Sequence, residues 1–313
     1  MTGNNGIRAT DEQERRKKLE IDNKEITLKG KFVRTAQLRY EWDEDVESPE
    51  MFIRELAKMP VQADLFTFAQ RLPDSRPQFD YFMEWDSVAA LPIVSYEHWL
   101  TRQIHVNARN KVRKALKQGV EVRAVEFDEQ FVRGIMEINN ECEFRQGHRY
   151  SHFGRDFEST WQIYSTFLDR ASFAGAYLNG ELIGFVKLVR TDRFMRTMGI
   201  ISKIAHRDKG AMNLLVGKAV EMCVEQSMPY LVYGKFKYGK KGSYTLRDFK
   251  RSQGFESVIV PRYFIPLSVK GRIVLSLNLQ DGLVNVLPLR LVRFLRGVRN
   301  WVYAMKERTQ RAA

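Results

Sequence analysis

The sequence predicts a mixed α/β fold, and three observations support this prediction. Residues 171–201 contain three consecutive apolar runs, and Asn179-Gly180 between the first two is a strong signal for a hairpin turn. Residues 211–226 place their apolar side chains on one side of a helix. A buried strand, a short helix and a further strand follow over residues 229–266. This order indicates a mixed sheet layered with helices.

Length and composition set the limits of this prediction. The chain has 313 residues, which is enough for two domains or one large one. Residues 1–28 lack the apolar region of a signal peptide, and no run of about 18 apolar residues predicts a spanning helix. Cys142 and Cys223 show no metal-ligand or disulfide spacing. We therefore expect a cytoplasmic protein with free thiols and no metal site.

The N-terminal part is expected to comprise a tail and a first domain. Residues 1–24 form a polar tail in which we expect disorder, because its charge run has nothing to bury. Residues 25–125 form the first domain. Its predicted elements are strands over residues 26–29, 32–40, 64–71, 79–85, 88–96 and 120–127, a short helix over 51–59 and a long helix over 97–118.

Residues 126–268 are expected to form a second domain, which contains the elements described first. Asp128 suits the N-cap of a helix over residues 129–143, and a second helix covers about residues 156–170. A helix over residues 244–253 ends at Gly254 and leads into the last strand. The two halves have a similar mix of elements, although no residue-level repeat supports a duplication.

Residues 269–313 form a basic C-terminal segment. In it, residues 289–306 place Leu291, Leu295 and Val302 on one helical face, and arginines point away from that face. Basic amphipathic helices of this kind bind anionic membrane surfaces. Docking of the apolar face on the protein body is the alternative.

The net charge of +13 is concentrated in three segments. Residues 101–119 hold six Lys or Arg and no acid, whereas residues 235–251 and 288–313 each hold seven against one acid. Such segments suggest anionic partners, namely the phosphates of CoA or a nucleotide, RNA, or an anionic membrane. Each could instead be a solvated helix face, but three of them together favour at least one binding surface.

Three motifs resemble a known family. The run Arg109-Asn-Lys-Val-Arg-Lys-Ala-Leu-Lys-Gln-Gly-Val-Glu-Val-Arg123 resembles the basic helix and following strand of Fem-type peptidoglycan bridge-forming transferases. Leu246-Arg-Asp-Phe-Lys-Arg-Ser-Gln-Gly-Phe255 resembles their Leu-x-x-Phe-Lys-x-x-x-Gly motif. Pro261-Arg-Tyr-Phe-Ile-Pro-Leu267 looks like the ending of Fem-like proteins of bacterial envelope biosynthesis. The resemblance covers about residues 100–267, and it rests on the order of the motifs.

The resemblance implies a GNAT-like fold, in two tandem domains of which the N-terminal one would be degenerate. It also implies transfer of an acyl group from acetyl-CoA or another acyl-CoA to an amine on a small-molecule or lipid-linked envelope precursor. Backbone N–H groups near Gly199, Ile200 and Ile201 would meet the acyl carbonyl. Lys250 stands where GNAT enzymes often carry a general-acid tyrosine, so it would stabilise the transition state or leaving group. An exposed helical lysine is the alternative.

The expected pyrophosphate loop matches worst. GNAT proteins read Arg/Gln-x-x-Gly-x-Gly/Ala there, whereas this chain reads His206-Arg-Asp-Lys-Gly-Ala-Met212. Free N–H groups near Gly210 and Ala211, together with Arg207 and Lys209, could still bind phosphate at a helix start. Fem-type proteins use aminoacyl-tRNA and also lack a clean loop. Charged tRNA is therefore an alternative donor, and the basic residues 101–119 favour it.

Two loops are candidate substrate sites. The first, residues 139–150, offers Glu141 or His148 as a general base and Glu143 and Tyr150 as substrate contacts. A solvated polar loop is the alternative there.

The second loop follows the strand that ends near Gly234. It mixes lysines with aromatic residues, which suits recognition of phosphates and rings at the end of a strand. The expected substrate contacts are Tyr233, Lys235, Tyr238 and Tyr244.

Two function classes therefore remain open. One is an enzyme in the cytoplasm, peripheral at the inner face of the membrane, that uses either an acyl-CoA or charged tRNA. The other is a catalytically silent GNAT-like module that binds RNA or membranes through its basic segments, and the weak pyrophosphate loop keeps this class open.

Overall fold

The computed structural model describes residues 19–59, 62–145, 148–237 and 244–280. Most of the expected polar tail, Tyr238 and the basic residues after 280 lie outside the described residues. Within them, eleven strands form one mixed sheet and two short strands pair separately. The mixed α/β fold class is thereby confirmed.

Strands and helices are numbered in chain order. The strands are β1 Leu19–Ile21, β2 Lys24–Lys29, β3 Thr35–Leu38, β4 Leu65–Ala69, β5 Met83–Pro92, β6 Glu121–Val125, β7 Phe144–Arg145, β8 His148–Arg149, β9 Ala171–Leu178, β10 Glu181–Arg190, β11 Met195–Ser202, β12 Tyr230–Lys235 and β13 Glu256–Pro266. The helices of at least eight residues are α1 Pro49–Lys58, α2 Val106–Lys117, α3 Glu129–Asn140, α4 Phe157–Tyr164, α5 Ala211–Glu225, α6 Tyr244–Ser252 and α7 Val269–Ser276.

The large sheet runs in the order β1-β2-β3-β4-β13-β5-β12-β11-β10-β9-β6. The late strand β13 lies between the early strands β4 and β5 and is antiparallel to both, so that Tyr263 pairs with Phe68 on one side and Met83 on the other. One sheet therefore joins both halves of the chain. The division into residues 25–125 and 126–268 stays a prediction.

Helices cover both faces of this sheet because strand side chains alternate between the faces. In the C-terminal half, Val186 and Leu188 of β10 pack in the cluster that contains α2 and α5. Phe185 points the other way and packs with residues of α3 and α4. In the N-terminal half, Phe52 of α1 stacks on Phe66 of β4 with ring centroids 5.5 Å apart. Among the described helices, none has the length and apolar content needed to span a membrane.

The disorder expected for residues 1–24 is wrong for residues 19–24, because β1 begins at Leu19 and β2 at Lys24. Ile21 is buried in the N-terminal core, which gives this short strand a reason to pair with β2. Asp22 and Asn23 connect the two strands, and both have positive φ, 55° and 56°. Such φ values at both central residues are those of a two-residue turn that matches the twist of a hairpin.

The prediction of a single helix over residues 97–118 is wrong, because the helix is interrupted at Ile104 and His105. A helical turn, Tyr96–His98, continues as a π-helical turn, Trp99–Gln103, and α2 starts only at Val106. The break lets the N–H of His105 donate to Ser252 O at 2.9 Å, and the indole Nε1 of Trp99 donates to Gln253 O at 2.9 Å. Contacts with the end of α6 therefore replace helical bonds.

Two strands expected over residues 79–85 and 88–96 form the single strand β5. Asp86 and Ser87 interrupt the apolar pattern, but in the structure they pair with Val260 and Ile259 of β13. The Asp86 carboxylate accepts a hydrogen bond from the Nε–H of Arg262 at 2.9 Å. This ion pair allows a charged residue to remain inside the strand.

The helix expected to reach residue 170 ends at Tyr164, and a buried lysine explains why. Lys187 of β10 has a side chain that is only 1% exposed. Its Nζ donates to Tyr164 O at 2.8 Å and to Thr166 Oγ1 at 2.9 Å, and it also donates to Thr166 O. These carbonyls are free to accept because the helix has ended. Burial lowers the pKa of Lys187 to about 8.

Replacing Lys187 by methionine should remove a pH-dependent part of the stability. Because the folded pKa lies below that of an unfolded lysine, the unfolded chain binds more protons between about pH 8 and about pH 10.4. The wild type should therefore gain stability relative to Lys187→Met as the pH rises through this window, by about 1 kcal/mol per pH unit. Urea unfolding of both proteins across the window measures the difference.

The variant Lys111→Met removes one positive charge from an exposed position of α2 and serves as the control. A free-energy difference between wild type and Lys187→Met that does not change with pH would contradict the lowered pKa.

Candidate functional site

The candidate site lies where two neighbouring strands stop pairing. The parallel strands β11 and β12 are in register only at Met195 with Leu231 and at Arg196 with Val232. The Oγ1 of Thr197 donates to Val232 O at 3.0 Å and closes the paired part. Beyond it, the last residues of the two strands are not in register with each other. This leaves a gap at their carboxyl ends, which is where open α/β sheets bind ligands.

A β-bulge shapes the β11 side of this gap. Lys187 of β10 pairs with Gly199, but the next residue, Leu188, pairs with Thr197, so that Met198 has no counterpart on β10. A bulge of this kind re-aims the backbone of the strand. The predicted residues Gly199, Ile200 and Ile201 follow the bulge and stay paired with β10 on their other side. Their role with an acyl carbonyl remains a prediction.

Lys250 supports the β12 side of the gap. Its side chain is fully buried, in contrast to the exposed helical lysine that the sequence also allowed. From α6 the Nζ donates to Tyr233 O at 2.6 Å and to Lys235 O at 2.7 Å, and it lies 4.5 Å from the Tyr233 ring centroid. Burial lowers the pKa of Lys250 to about 8. The structure thus places a buried amine of lowered pKa at the end of β12.

The end of β12 is bent. The register with β5 shifts between Val232 and Lys235, and Gly234 has a φ of 59°. A strand that bulges here turns the carbonyls of Tyr233 and Lys235 toward a single donor, the Lys250 amine. Glycine is suited to Gly234 because a residue with a Cβ rarely adopts this φ.

The other predicted residues on this side have fixed partners. The Tyr233 ring packs edge-on against Phe255, with centroids 5.8 Å apart. The Nζ of Lys235 lies 2.6 Å from Asp86 Oδ2. Burial opposes ionisation of Asp86, but Arg262 and Lys235 outweigh it and hold the pKa of Asp86 below its ordinary value. Tyr244 starts α6, but its side chain lies outside the described residues, as does all of Tyr238.

The predicted phosphate-binding residues meet at the start of α5. A short 3-10 turn, Arg207–Lys209, precedes Gly210, which is the N-cap with a φ of 73°. Gly210 has no side chain to cap this end. The N–H of Asn213 donates to Gly210 O at 3.0 Å. Among the described residues, the N–H groups of Ala211 and Met212 and the positive end of the helix dipole therefore remain for an anion. A Cβ at Gly210 would lie 3.1 Å from Lys111 O. The close approach that glycine permits at this position is therefore occupied by the backbone of α2 and not by a phosphate.

Helix α2 adds its basic face to this helix start. Lys111, Arg113, Lys114 and Lys117 are all exposed on α2. The two elements touch, because a Cβ at Gly210 would lie 3.3 Å from the Cβ of Ala115 on α2. The pKa of Asp208 is lowered, mainly by its hydrogen bond to Lys209 and also by the charge of Lys114. Two of the basic features in the sequence therefore form one surface. Arg109 of α2 has another role, since its guanidinium donates to Leu100 O at 2.7 Å and Thr101 O at 2.6 Å.

The loop before this turn is held by Glu141. Its Oε2 accepts from the N–H of Ile204 at 2.6 Å, and its Oε1 accepts from the N–H of Ala205 at 2.8 Å. Arg145 donates to Glu141 Oε2 at 3.1 Å and to Ser202 O at 3.0 Å. Both carboxylate oxygens are thus engaged, which favours a positioning role for Glu141 over proton removal. Its assignment as a general base stays a prediction.

The remaining predicted residues of this loop do not converge on the gap as one group. Glu143 is half exposed and pairs with Arg149 at 2.9 Å. Tyr150 donates to Asn139 Oδ1 at 3.0 Å, and burial is the main cause that raises its pKa. His148 lies in β8, but its side chain is outside the described residues.

Tyr164, which the sequence did not single out, lies near Gly199, and His152 lies near Tyr164. A Cβ added at Gly199 would be 3.5 Å from the Tyr164 ring, and the Tyr164 ring centroid is 6.0 Å from that of His152. Burial lowers the pKa of His152, so its neutral form is favoured. Lys187 is the residue whose sequence context could have pointed to Tyr164, because it is a charged residue inside an apolar strand. In the structure its Nζ donates to Tyr164 O. Among the described residues, His, Cys, Asp and Glu form no group of three that could hold a metal.

Replacing Glu141 by glutamine should loosen the loop before α5. A neutral amide has one oxygen for two N–H donors, and hydrogen bonds to charged groups contribute about 1.5–3 kcal/mol. We expect faster hydrogen exchange at Ile204 and Ala205 and a free energy of unfolding lower by about 1–3 kcal/mol. Hydrogen exchange and urea unfolding measure both effects. Glu143→Gln is the matched control, and equal behaviour of the two variants would argue against the anchoring role.

No protein-family model and no curated protein sequence matches this chain. Solved structures do match its fold. L-PGS from Bacillus licheniformis is 12% identical, with 82% of this chain and 85% of that chain covered and a TM-score of 0.53. The C-terminal domain of a putative lysylphosphatidylglycerol synthetase from Agrobacterium fabrum is 15% identical, with 81% and 84% covered and a TM-score of 0.51.

FemX is 11% identical to this chain, with 81% of this chain and 86% of FemX covered and a TM-score of 0.52. At such identities the likeness concerns the fold. It confirms the fold that the resemblance implied, and this chain shares the fold of FemX.

Proposed function

We propose that this protein is an acyltransferase that moves an acyl group from a phosphate-bearing donor to an amine. The observation that carries the proposal is the gap between β11 and β12, with a bulged strand on one side and the buried Lys250 on the other. A thioester of CoA is the first candidate donor. The donor would supply an activated carbonyl, and the chain would supply the groups that hold and polarise it.

The residues around the gap suit this chemistry. Backbone N–H groups near Gly199 can donate to a carbonyl oxygen as negative charge develops on it. The Lys250 amine, when protonated, can stabilise that charge or protonate the leaving group. Its lowered pKa of about 8 makes proton donation near neutral pH easier than for an ordinary lysine. The base that accepts the amine proton is proposed to be His148, or the neutral His152 near Tyr164.

Phosphate groups of the donor would bind at the start of α5. Arg207 and Lys209 flank the uncapped first turn, and the exposed cations of α2 extend the same surface. A pyrophosphate needs only the first turn of α5. The proposal therefore accounts for a phosphate site that lacks a glycine-rich loop.

Charged tRNA is the second candidate donor, and the length of the basic surface favours it. Helix α2 has twelve residues and is therefore about 18 Å long. This is longer than one pyrophosphate and fits a nucleic-acid backbone, whose affinity rests on many phosphate contacts. Two proteins with the same fold are a putative lysylphosphatidylglycerol synthetase and FemX. The acceptor is proposed to be an envelope precursor handled in the cytoplasm or at the inner membrane face.

Ligand-induced stabilisation should separate the donors. A donor present at a hundred times its dissociation constant stabilises the folded protein by about 2.7 kcal/mol, which corresponds to a rise in melting temperature of about 5 °C. We expect this rise with acetyl-CoA or longer acyl-CoAs. A response to aminoacyl-tRNA alone would favour the second donor. No response to either would contradict both enzymatic proposals and favour a catalytically silent module.

Replacing Lys250 by methionine should lower acyl transfer about 100-fold, because one preorganised donor is lost. Release of free thiol from an acyl-CoA in the presence of amines measures the rate. In the wild type, activity that depends on the protonated amine should fall as the pH rises through about 8, and Lys250→Arg should shift that fall to higher pH. Lys237→Met, at an exposed position nearby, is the control.

A purely structural role for Lys250 predicts a different result. Lys250→Met would then lower the melting temperature, while the folded fraction would keep its rate and pH profile. That outcome would remove Lys250 from the mechanism.

A further inference from the structure

The outer face of helix α7 is apolar, which is unusual for a surface helix. Val269, Ile273 and Leu277 are 64%, 54% and 58% exposed. Their spacing of four residues places them on one face of the helix. Leu277 directly follows Ser276, the last residue of the helix. The opposite face is buried and consists of Gly271, Val274 and Leu275.

Helix α7 is fixed so that this face points away from the body. A Cβ at Gly271 would lie 2.0 Å from Asp64 O, so only glycine allows the contact with the start of β4. The hydroxyl of Ser268 caps the helix and donates to Asp64 Oδ1 at 2.9 Å. Rotation of α7 to bury its apolar stripe would break these contacts.

A neighbouring turn extends the apolar surface. Phe32 is 86% exposed, and its carbonyl accepts from the Nζ of Lys270 at the start of α7. The N–H of Arg34 donates to Asp64 Oδ2 at 2.8 Å, so this turn and α7 share one anchor. Phe32 and the α7 stripe therefore lie on one side of the molecule. We call them, with the cations around them, the α7 surface.

The charges around this surface are positive. At 100° per residue, Lys270 and Arg272 fall on either side of the apolar stripe, and both are exposed. Lys29, Lys31 and Arg34 are exposed in and around the turn that carries Phe32. Asp64, an acid beside this surface, is paired with Lys270 at 3.2 Å. An apolar stripe flanked by cations is the pattern of helices that lie in a membrane interface.

We propose that the α7 surface binds an anionic lipid bilayer, with Phe32, Ile273 and Leu277 entering the interface. Charge favours lipid over the chain's own C-terminal segment as the occupant. Residues 288–313 hold seven cations against one acid, so folding back would place positive charge against positive charge. Lipid headgroups of negative charge attract both. The described part of the chain ends at residue 280, four residues after α7, and the basic segment follows it in the sequence.

Sedimentation of the full chain with vesicles tests the proposal. Vesicles of phosphatidylcholine with phosphatidylglycerol should bind the protein, whereas phosphatidylcholine alone should bind it far less. Ile273→Glu and Leu277→Glu should each lower partitioning about tenfold or more, because a charge replaces an inserted apolar side chain. Arg272→Gln should lower partitioning onto the vesicles about fivefold at low salt, and the difference from the wild type should be smaller at high salt.

Leu116→Glu is the matched control, since Leu116 is also 58% exposed on a helix, α2, outside the α7 surface. It should bind vesicles as the wild type does. All variants should keep their melting temperature, because the replaced side chains are exposed. Vesicle binding that is absent in the wild type, or unchanged by Ile273→Glu and Leu277→Glu, overturns the proposal. The proposal is also overturned if Ile273→Glu and Leu277→Glu lower the melting temperature and bind vesicles more strongly than the wild type. That result would show that the chain's own C-terminal segment covers the apolar stripe.

Discussion

Backbone hydrogen bonding at the parted ends of β11 and β12 is the constraint on which the candidate site depends. A strand that leaves its neighbour must find other partners for its polar groups. Lys250 provides them for β12, and Glu141 provides them for the loop after β11. These two side chains come from α6 and from the end of α3. The gap stays open because side chains, rather than a strand, satisfy its edges.

Much of the fold could be predicted because its signals are local. The Asn179-Gly180 turn, the strands on either side of it and the apolar helix α5 can each be recognised from neighbouring residues in the sequence. The break before α2 could not be predicted, because the N–H of His105 there donates to Ser252, a residue far along the chain. The continuity of β5 through Asp86 has the same cause, since Arg262 comes from β13.

The candidate site was predictable in position more than in chemistry. The motif around Lys250 indicated where the lysine would lie, but its full burial follows from how α6 packs on β12. The sequence suggested Glu141 as a general base. In the structure its carboxylate accepts a hydrogen bond from the N–H of Ile204, which is 63 residues away in the sequence. Lys187 carried a signal, a charge within an apolar strand, but its acceptors lie after the end of α4. Side-chain roles thus depend on distant partners that spacing does not show.

The position of β13 has a consequence for how the protein is made. Thr67 and Tyr263 are joined by a 2.8 Å hydrogen bond although 196 residues separate them. A ribosome that adds roughly 5–20 residues per second needs roughly 10–40 s to cover that distance. During this interval the nascent chain exposes the edges of β4 and β5, and open edges invite pairing with other chains. Completion of the N-terminal sheet therefore waits until almost the whole described chain has been synthesised.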